Sequence, residues 1–189
     1  MACRSQADLR TIGHVTHRVS DLERFRSAKD EFFLSDPRSP LTRAHRASFG
    51  GLRYFAEDPT LVIEAVLETD VDHELVMLST TGGEPRPMRR GGLVGFEVYG
   101  APAQVALFAA EDDPGLFLAF RDATSGDETY GGGRYLDVRP PDAHGRVVVD
   151  FNLAYNPYCA YSDGYSCPLP PAENWLGVPI RAGEMTFEP

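Results

Sequence analysis

The chain is 189 residues long, 42% apolar and 24% charged, the balance of an ordinary globular protein with room for one sizeable core. Eighteen Gly and fifteen Pro are more than a helical bundle tolerates, since each breaks a helix at a cost of about 1 and 3 kcal/mol respectively. Twenty-eight acidic against eighteen basic residues leave a net charge of −10, which argues against nucleic acid and anionic membrane as partners because the phosphate-neutralising electrostatics are missing.

Residues 1–19 read as an N-terminal tail, with Arg4, Asp8, Arg10 and Arg18 and no apolar core of a signal segment; no stretch anywhere approaches a membrane span. A cytoplasmic protein is expected. His14 and His17 form H-x2-H in this tail, and no metal role is expected of them. From residue 20 to 189 no repeat, low-complexity segment or linker divides the chain, so one β-rich domain is predicted. Ser20 with Glu23 fits a capping box, and Leu22, Phe25, Lys29, Phe32 and Phe33 follow at helical spacing, which predicts a helix over residues 20 to about 34. Asp36-Pro37 ends it, and Pro40 to Ala47 reads as a second short helix.

The period then changes to two. Leu61 to Leu67 alternates as a strand, and further strands are predicted at 74–80, 86–90, 93–99, 105–109, 116–121, 134–138, 147–151 and 178–187. About nine short, closely spaced strands predict a mostly β fold, an antiparallel sandwich or barrel with an N-terminal helix.

Two stretches break the strand pattern. Phe120 to Tyr135 reads F-R-D-A-T-S-G-D-E-T-Y-G-G-G-R-Y, either a wide hairpin turn or a binding loop that directs Asp122, Glu128, Tyr130 and Arg134 inward. Asp150 to Asn174 is a long loop with four tyrosines and Trp175 just beyond it, too much aromatic area to stay solvated, so it should be ordered and packed over the sheet. Its Cys159 and Cys167 have neither zinc-knuckle nor thioredoxin spacing, and two buried inert thiols are expected rather than a metal site, a disulfide or a reactive thiol. No serine-hydrolase elbow, phosphate loop, zincin or dinucleotide motif is present.

The run F-R-D-A-T-S-G-D-E-T-Y-G-G-G-R-Y-L, then D-F-N-L-A-Y-N-P-Y-C-A-Y, Y-S-C-P-L-P-P-A-E-N and A-G-E resembles the bacterial and archaeal domain-of-unknown-function family numbered 1684. Upstream, F-R-S-A-K-D-E-F-F, S-P-L and L-R-Y-F-A-E-D-P resemble it too, so the likeness covers about residues 22 to 187. Met185 follows Ala182-Gly183-Glu184 where the resemblance leads one to expect a basic residue. The resemblance implies the two motif loops without a reaction.

The leading functional expectation is a small-molecule enzyme with its pocket between the two loops, no organic cofactor and no metal. Asp150 or Glu128 would accept the proton and Arg134 would hold an anionic or carbonyl group beside Tyr130. Asp122, Asn152, Tyr155, Asn156, Cys159, Glu173 and Asn174 would bind the substrate. The alternative is a non-catalytic small-molecule or protein-binding module with an aromatic cage of Tyr155, Tyr158, Tyr161 and Trp175. The oligomeric state is left open.

Overall fold

In a computed structural model, which describes residues 20–72, 75–109 and 115–188, the chain enters α1 (Asp21–Ser35) through the predicted capping box. The Ser20 hydroxyl accepts the Glu23 N–H at 3.0 Å and the Glu23 carboxylate accepts the Ser20 N–H at 2.7 Å. The tail 1–19, with Cys3, His14 and His17, lies outside the described residues. A second helix, α2 (Arg43–Ser48), starts later than its sequence pattern because Leu41 is drawn into the interior and Thr42 becomes the cap, accepting the His45 N–H at 3.1 Å.

Seven strands follow among the described residues: β1 (Val62–Val66), β2 (Leu75–Leu78), β3 (Arg86–Val98), β4 (Ala101–Ala109), β5 (Leu116–Phe120), β6 (Arg134–Val138) and β7 (Arg146–Asp150). The order β2-β3-β4-β5-β6 is antiparallel throughout, and β1 pairs with β7. A bridge between Glu68 and Leu93 of β3 and the packing of β7 beside β6 bring the pair against both sides of the larger sheet, giving a curled half-barrel. The fold is mostly β and antiparallel with an N-terminal helix, as the sequence pattern predicts.

Two differences in strand count have identifiable causes. The segments 86–90 and 93–99 are one strand, because Gly91-Gly92 forms a bulge where the register shifts between Arg90 and Gly92 rather than a turn. A Cβ on Gly92 would stand 2.6 Å from the Glu68 carbonyl oxygen, so only glycine lets β3 approach this closely. Residues 178–187 form no strand beyond a single bridge from Glu184 to Tyr54, since side chains take the carbonyls a ladder would use.

The inner face of the sheet holds the main core, including Val105, Leu107, Leu118, Phe120, Leu136 and Phe151. The opposite face of β5 and β6 is also covered: Ala119 and Tyr135 pack under Cys167, with Phe117, Tyr155 and Cys159 at the margin. The long loop is therefore ordered, and it carries three short 3-10 turns at Phe151–Leu153, Tyr158–Ala160 and Ala172–Asn174. No helix among the described residues is long and apolar enough to cross a membrane.

The C-terminal segment tests this packing. Gly183 has φ +74°, and a Cβ there would lie 2.5 Å from the Ala154 carbonyl oxygen, whereas Gly164 faces open space. Gly183→Ala is expected to lower unfolding stability by more than about 1 kcal/mol and Gly164→Ala to stay within about 0.5 kcal/mol. Urea denaturation of the two variants checks this, and equal midpoints would contradict it.

Candidate functional site

Arg134 begins β6 with no exposed side-chain surface. Its guanidinium donates to the carbonyls of Ile180 (2.7 Å), Glu184 (3.2 Å) and Ala182, and it lies 3.5 Å from the equally enclosed Asp122. Burial pulls the Arg134 pKa below the usual arginine range, and the Asp122 charge pushes it back. Asp122 accepts the Ile180 N–H at 2.5 Å and the Thr124 hydroxyl at 2.9 Å. Both side chains, expected to face a substrate, are occupied in holding residues 180–184.

Glu184 is the second buried anchor, 1% exposed. Its carboxylate accepts the Asn156 N–H at 2.8 Å and the Tyr161 hydroxyl at 2.6 Å, and pairs with Lys29 of α1. Asn156 also donates its amide to the Met185 carbonyl at 2.8 Å. The position where a basic residue was expected thus contributes its backbone. Burial, followed by the Glu184 charge, pushes the Tyr161 hydroxyl well above its ordinary range, so it stays a donor.

The other expected site residues are dispersed. Glu128 pairs with Arg181 on the surface at 2.8 Å, and hydrogen bonding to that guanidinium holds its carboxyl below the usual range. The Tyr130 hydroxyl donates to Cys159 Sγ at 3.6 Å. Asp150 caps the turn that follows it, accepting the Asn152 N–H at 3.0 Å, while Asn152 exchanges hydrogen bonds with the Asp58 backbone. Glu173 pairs with Arg90. Asn174 fills the gap where β4 and β5 part: its Oδ1 accepts the Ala106 N–H at 2.7 Å, and its amide donates to the Ala106 and Ala119 carbonyls at 2.9 Å each.

A cleft of about 590 Å³ lies instead between α1, the outer face of β5 and β6, and the loop. Phe25, Phe32 and Phe33 come from α1, Phe117 and Tyr135 from the sheet, and Tyr155, Tyr158 and Tyr165 from the loop. Of the expected substrate contacts only Tyr155 lines it. The expected cage is corrected accordingly. Tyr155 and Tyr158 take part, but Tyr161 is buried on Glu184, and Trp175, 57% exposed, lies over the Arg121 guanidinium at 5.0 Å.

Three charged groups border the cleft: Lys29, Arg86 and Asp137. Lys29 Nζ sits 4.8 Å from the Tyr155 ring centroid and 5.5 Å from that of Phe33, so its charge is held by two ring faces as well as by Glu184. The Tyr155 hydroxyl donates to both Asp137 oxygens at 3.1 Å. Desolvation pushes the Tyr155 and Tyr135 hydroxyls upward and the Cys167 thiol up to about 11. The alternation of β6 that puts Leu136 and Val138 inside puts Tyr135 and Asp137 on the cleft side. Lys29 carried a readable signal: it is the single lysine in the chain, set among phenylalanines on the apolar stripe of α1.

Asp150 lines a separate groove of about 460 Å³ with Glu64, Asp137, Arg139 and Arg146, and neither cleft contains Asp122, Glu128, Tyr130 or Arg134. Among the described residues no group of three or more His, Cys, Asp or Glu is placed to hold a metal ion.

The geometry defines a curled antiparallel half-barrel with an aromatic cleft beneath its first helix. The chain belongs to the family described as Protein of unknown function (DUF1684), whose model matches residues 47–185. It is similar to the solution NMR structure of the uncharacterized protein from gene locus rrnAC0354 of Haloarcula marismortui, with 39% identity and a TM-score of 0.68, over 87% of this chain and 92% of that one. No curated protein matches it. The family match starts after α1, so the helix that brings Phe25 and Lys29 to the cleft lies outside the matched span.

The raised acids around the loop give stability a defined pH dependence. In the unfolded chain a thiol titrates near about 8.5 and a tyrosine near about 10. Cys167, Tyr135, Tyr155 and Tyr161 keep their protons longer when folded, so the unfolded state deprotonates first. Stability is therefore full below about pH 8.5, begins to fall as the thiol leads, and falls faster above about pH 10. Urea midpoints measured across this range should decline in that order, with a shallower decline in Tyr161→Phe; a flat profile would contradict the assignment.

Proposed function

We propose that the protein binds a small molecule with a flat apolar body in the cleft between α1 and the loop, a polar group of the ligand reaching Asp137 or Arg86. The observation that carries this reading is a cleft of about 590 Å³ walled by eight aromatic rings. That volume falls within the few hundred to about 1,000 Å³ of ordinary ligand sites, and aromatic walls with a few polar groups are their usual composition. Phe25 is 42% exposed, an apolar area at the mouth that a ligand would cover.

This is the binding alternative of the sequence reading, with its aromatic set redrawn. The acid–base enzyme, the leading expectation from sequence, has less support, because Glu128 and Arg134 are engaged with protein groups and Asp150 faces another groove. The proposal takes the cytoplasm as its setting, a reducing compartment in which Cys159 and Cys167 rest as thiols in the absence of an oxidant. Its net charge of −10 disfavours nucleic acid and anionic membrane as partners.

An anilinonaphthalene sulfonate dye, flat and apolar with one charged end, is a direct probe. Titration should give saturable fluorescence enhancement at one site. Phe25→Ala and Tyr158→Ala, both at exposed positions, should weaken it about tenfold or more, as expected when about 1.5–3 kcal/mol of aromatic burial is lost. Unchanged affinity in both variants, with the fold intact by circular dichroism, would overturn the proposal.

A further inference from the structure

Cys159 and Cys167 have a relation that ligand binding does not use. The Cys159 N–H donates to Cys167 Sγ at 3.4 Å, so the Cys167 sulfur already lies beside the backbone from which the Cys159 side chain springs. Both sulfurs are free thiols, Cys159 half-buried and Cys167 buried. The Tyr130 hydroxyl donates to Cys159 Sγ at 3.6 Å, a contact that fixes the position of the more accessible sulfur. Burial and the Cys159 contact push the Tyr130 hydroxyl up to about 12, so it keeps the proton it donates.

We propose that Cys159 and Cys167 form a reversible disulfide on exposure to a hydroperoxide, with Cys159 the attacking thiol, Cys167 the resolving thiol and Tyr130 the positioning residue. The Cys159 thiolate attacks one peroxide oxygen, the O–O bond breaks, and the departing alkoxide or hydroxide takes up a proton, leaving a sulfenic acid on Cys159. The Cys167 sulfur then attacks the sulfenic sulfur. The S–O bond breaks as the S–S bond forms, and the hydroxide released leaves as water with the Cys167 proton. Two thiols are oxidised by two electrons in all, and one hydroperoxide is reduced to an alcohol or water. The closed loop contains Tyr165 and begins next to Tyr158, so the bridge fixes one wall of the aromatic cleft.

The test uses the full chain with Cys3→Ser, which leaves these two as its only cysteines. No Lys or Arg lies between Arg146 and Arg181, so both fall in one tryptic peptide. After hydrogen peroxide treatment, that peptide is expected to lose the mass of two hydrogen atoms and to regain it with dithiothreitol, while the thermal midpoint of the oxidised protein rises. Tyr130→Phe is expected to slow bridge formation several-fold, with the reduced protein's circular dichroism spectrum unchanged. Sulfinic acid on Cys159 with Cys167 intact, or both thiols unchanged at peroxide levels that oxidise free cysteine, would overturn the proposal. An unaltered rate in Tyr130→Phe would overturn the part given to Tyr130.

Discussion

A buried guanidinium organises this protein. Arg134 is sealed from solvent with Asp122 as its ion-pair partner at 3.5 Å, and three carbonyls of the C-terminal segment accept its other hydrogen bonds. A buried charge left without such partners would cost several kcal/mol, so the arginine and the segment require each other. The segment has no sheet ladder of its own, and its path from Ile180 to Glu184 follows the spacing of the guanidinium donors. That path delivers Glu184 to Asn156, Tyr161 and Lys29, which ties the loop and α1 to the same anchor.

The cleft follows from this arrangement. The half-barrel satisfies its main core on the inner face, and the loop covers only part of the outer face of β5 and β6. Lys29 holds α1 beside the remainder through its ion pair with Glu184 and its contacts with the rings of Phe33 and Tyr155. An apolar sheet face, a helix held off it by the polar contacts of Arg26, Lys29 and Asp30 and a loop stiffened by 3-10 turns leave space walled by rings that a fully packed interior would close. Redox chemistry at Cys159 and Cys167 would act on the same wall, in the loop segment that Tyr161 ties to Glu184.

The fold was largely legible from sequence because its signals are local. The capping box, the helical stripe after it, the alternation in β1 and β7 and the continuous apolar run of β5 each act within a few residues. The bulge at Gly91-Gly92 and the loss of a strand at 178–187 depend on partners distant in sequence: the Glu68 carbonyl in one case and Arg134 in the other. The candidate site was less legible for a related reason. Polar residues in unusual loops, such as Asp122, Arg134, Asn156 and Asn174, have the composition of an active site, but here they satisfy backbone groups that irregular structure leaves open. The cleft is built from Phe25, Lys29, Phe117 and Tyr135, whose types are ordinary core and surface residues until helix and sheet meet.

The central claim is that ligand recognition belongs to the aromatic cleft and that the polar motif residues form the scaffold. The most direct measurement is an NMR titration of the isotopically labelled protein with flat apolar fragments, following aromatic side-chain and backbone resonances together. The account predicts saturable shifts concentrated at Phe25, Phe117, Tyr155, Tyr158 and Tyr165, with the resonances of Glu128 and Asp150 unmoved. Shifts centred on Glu128 and Arg181, or on the groove around Asp150, with the cleft resonances unchanged, would contradict it.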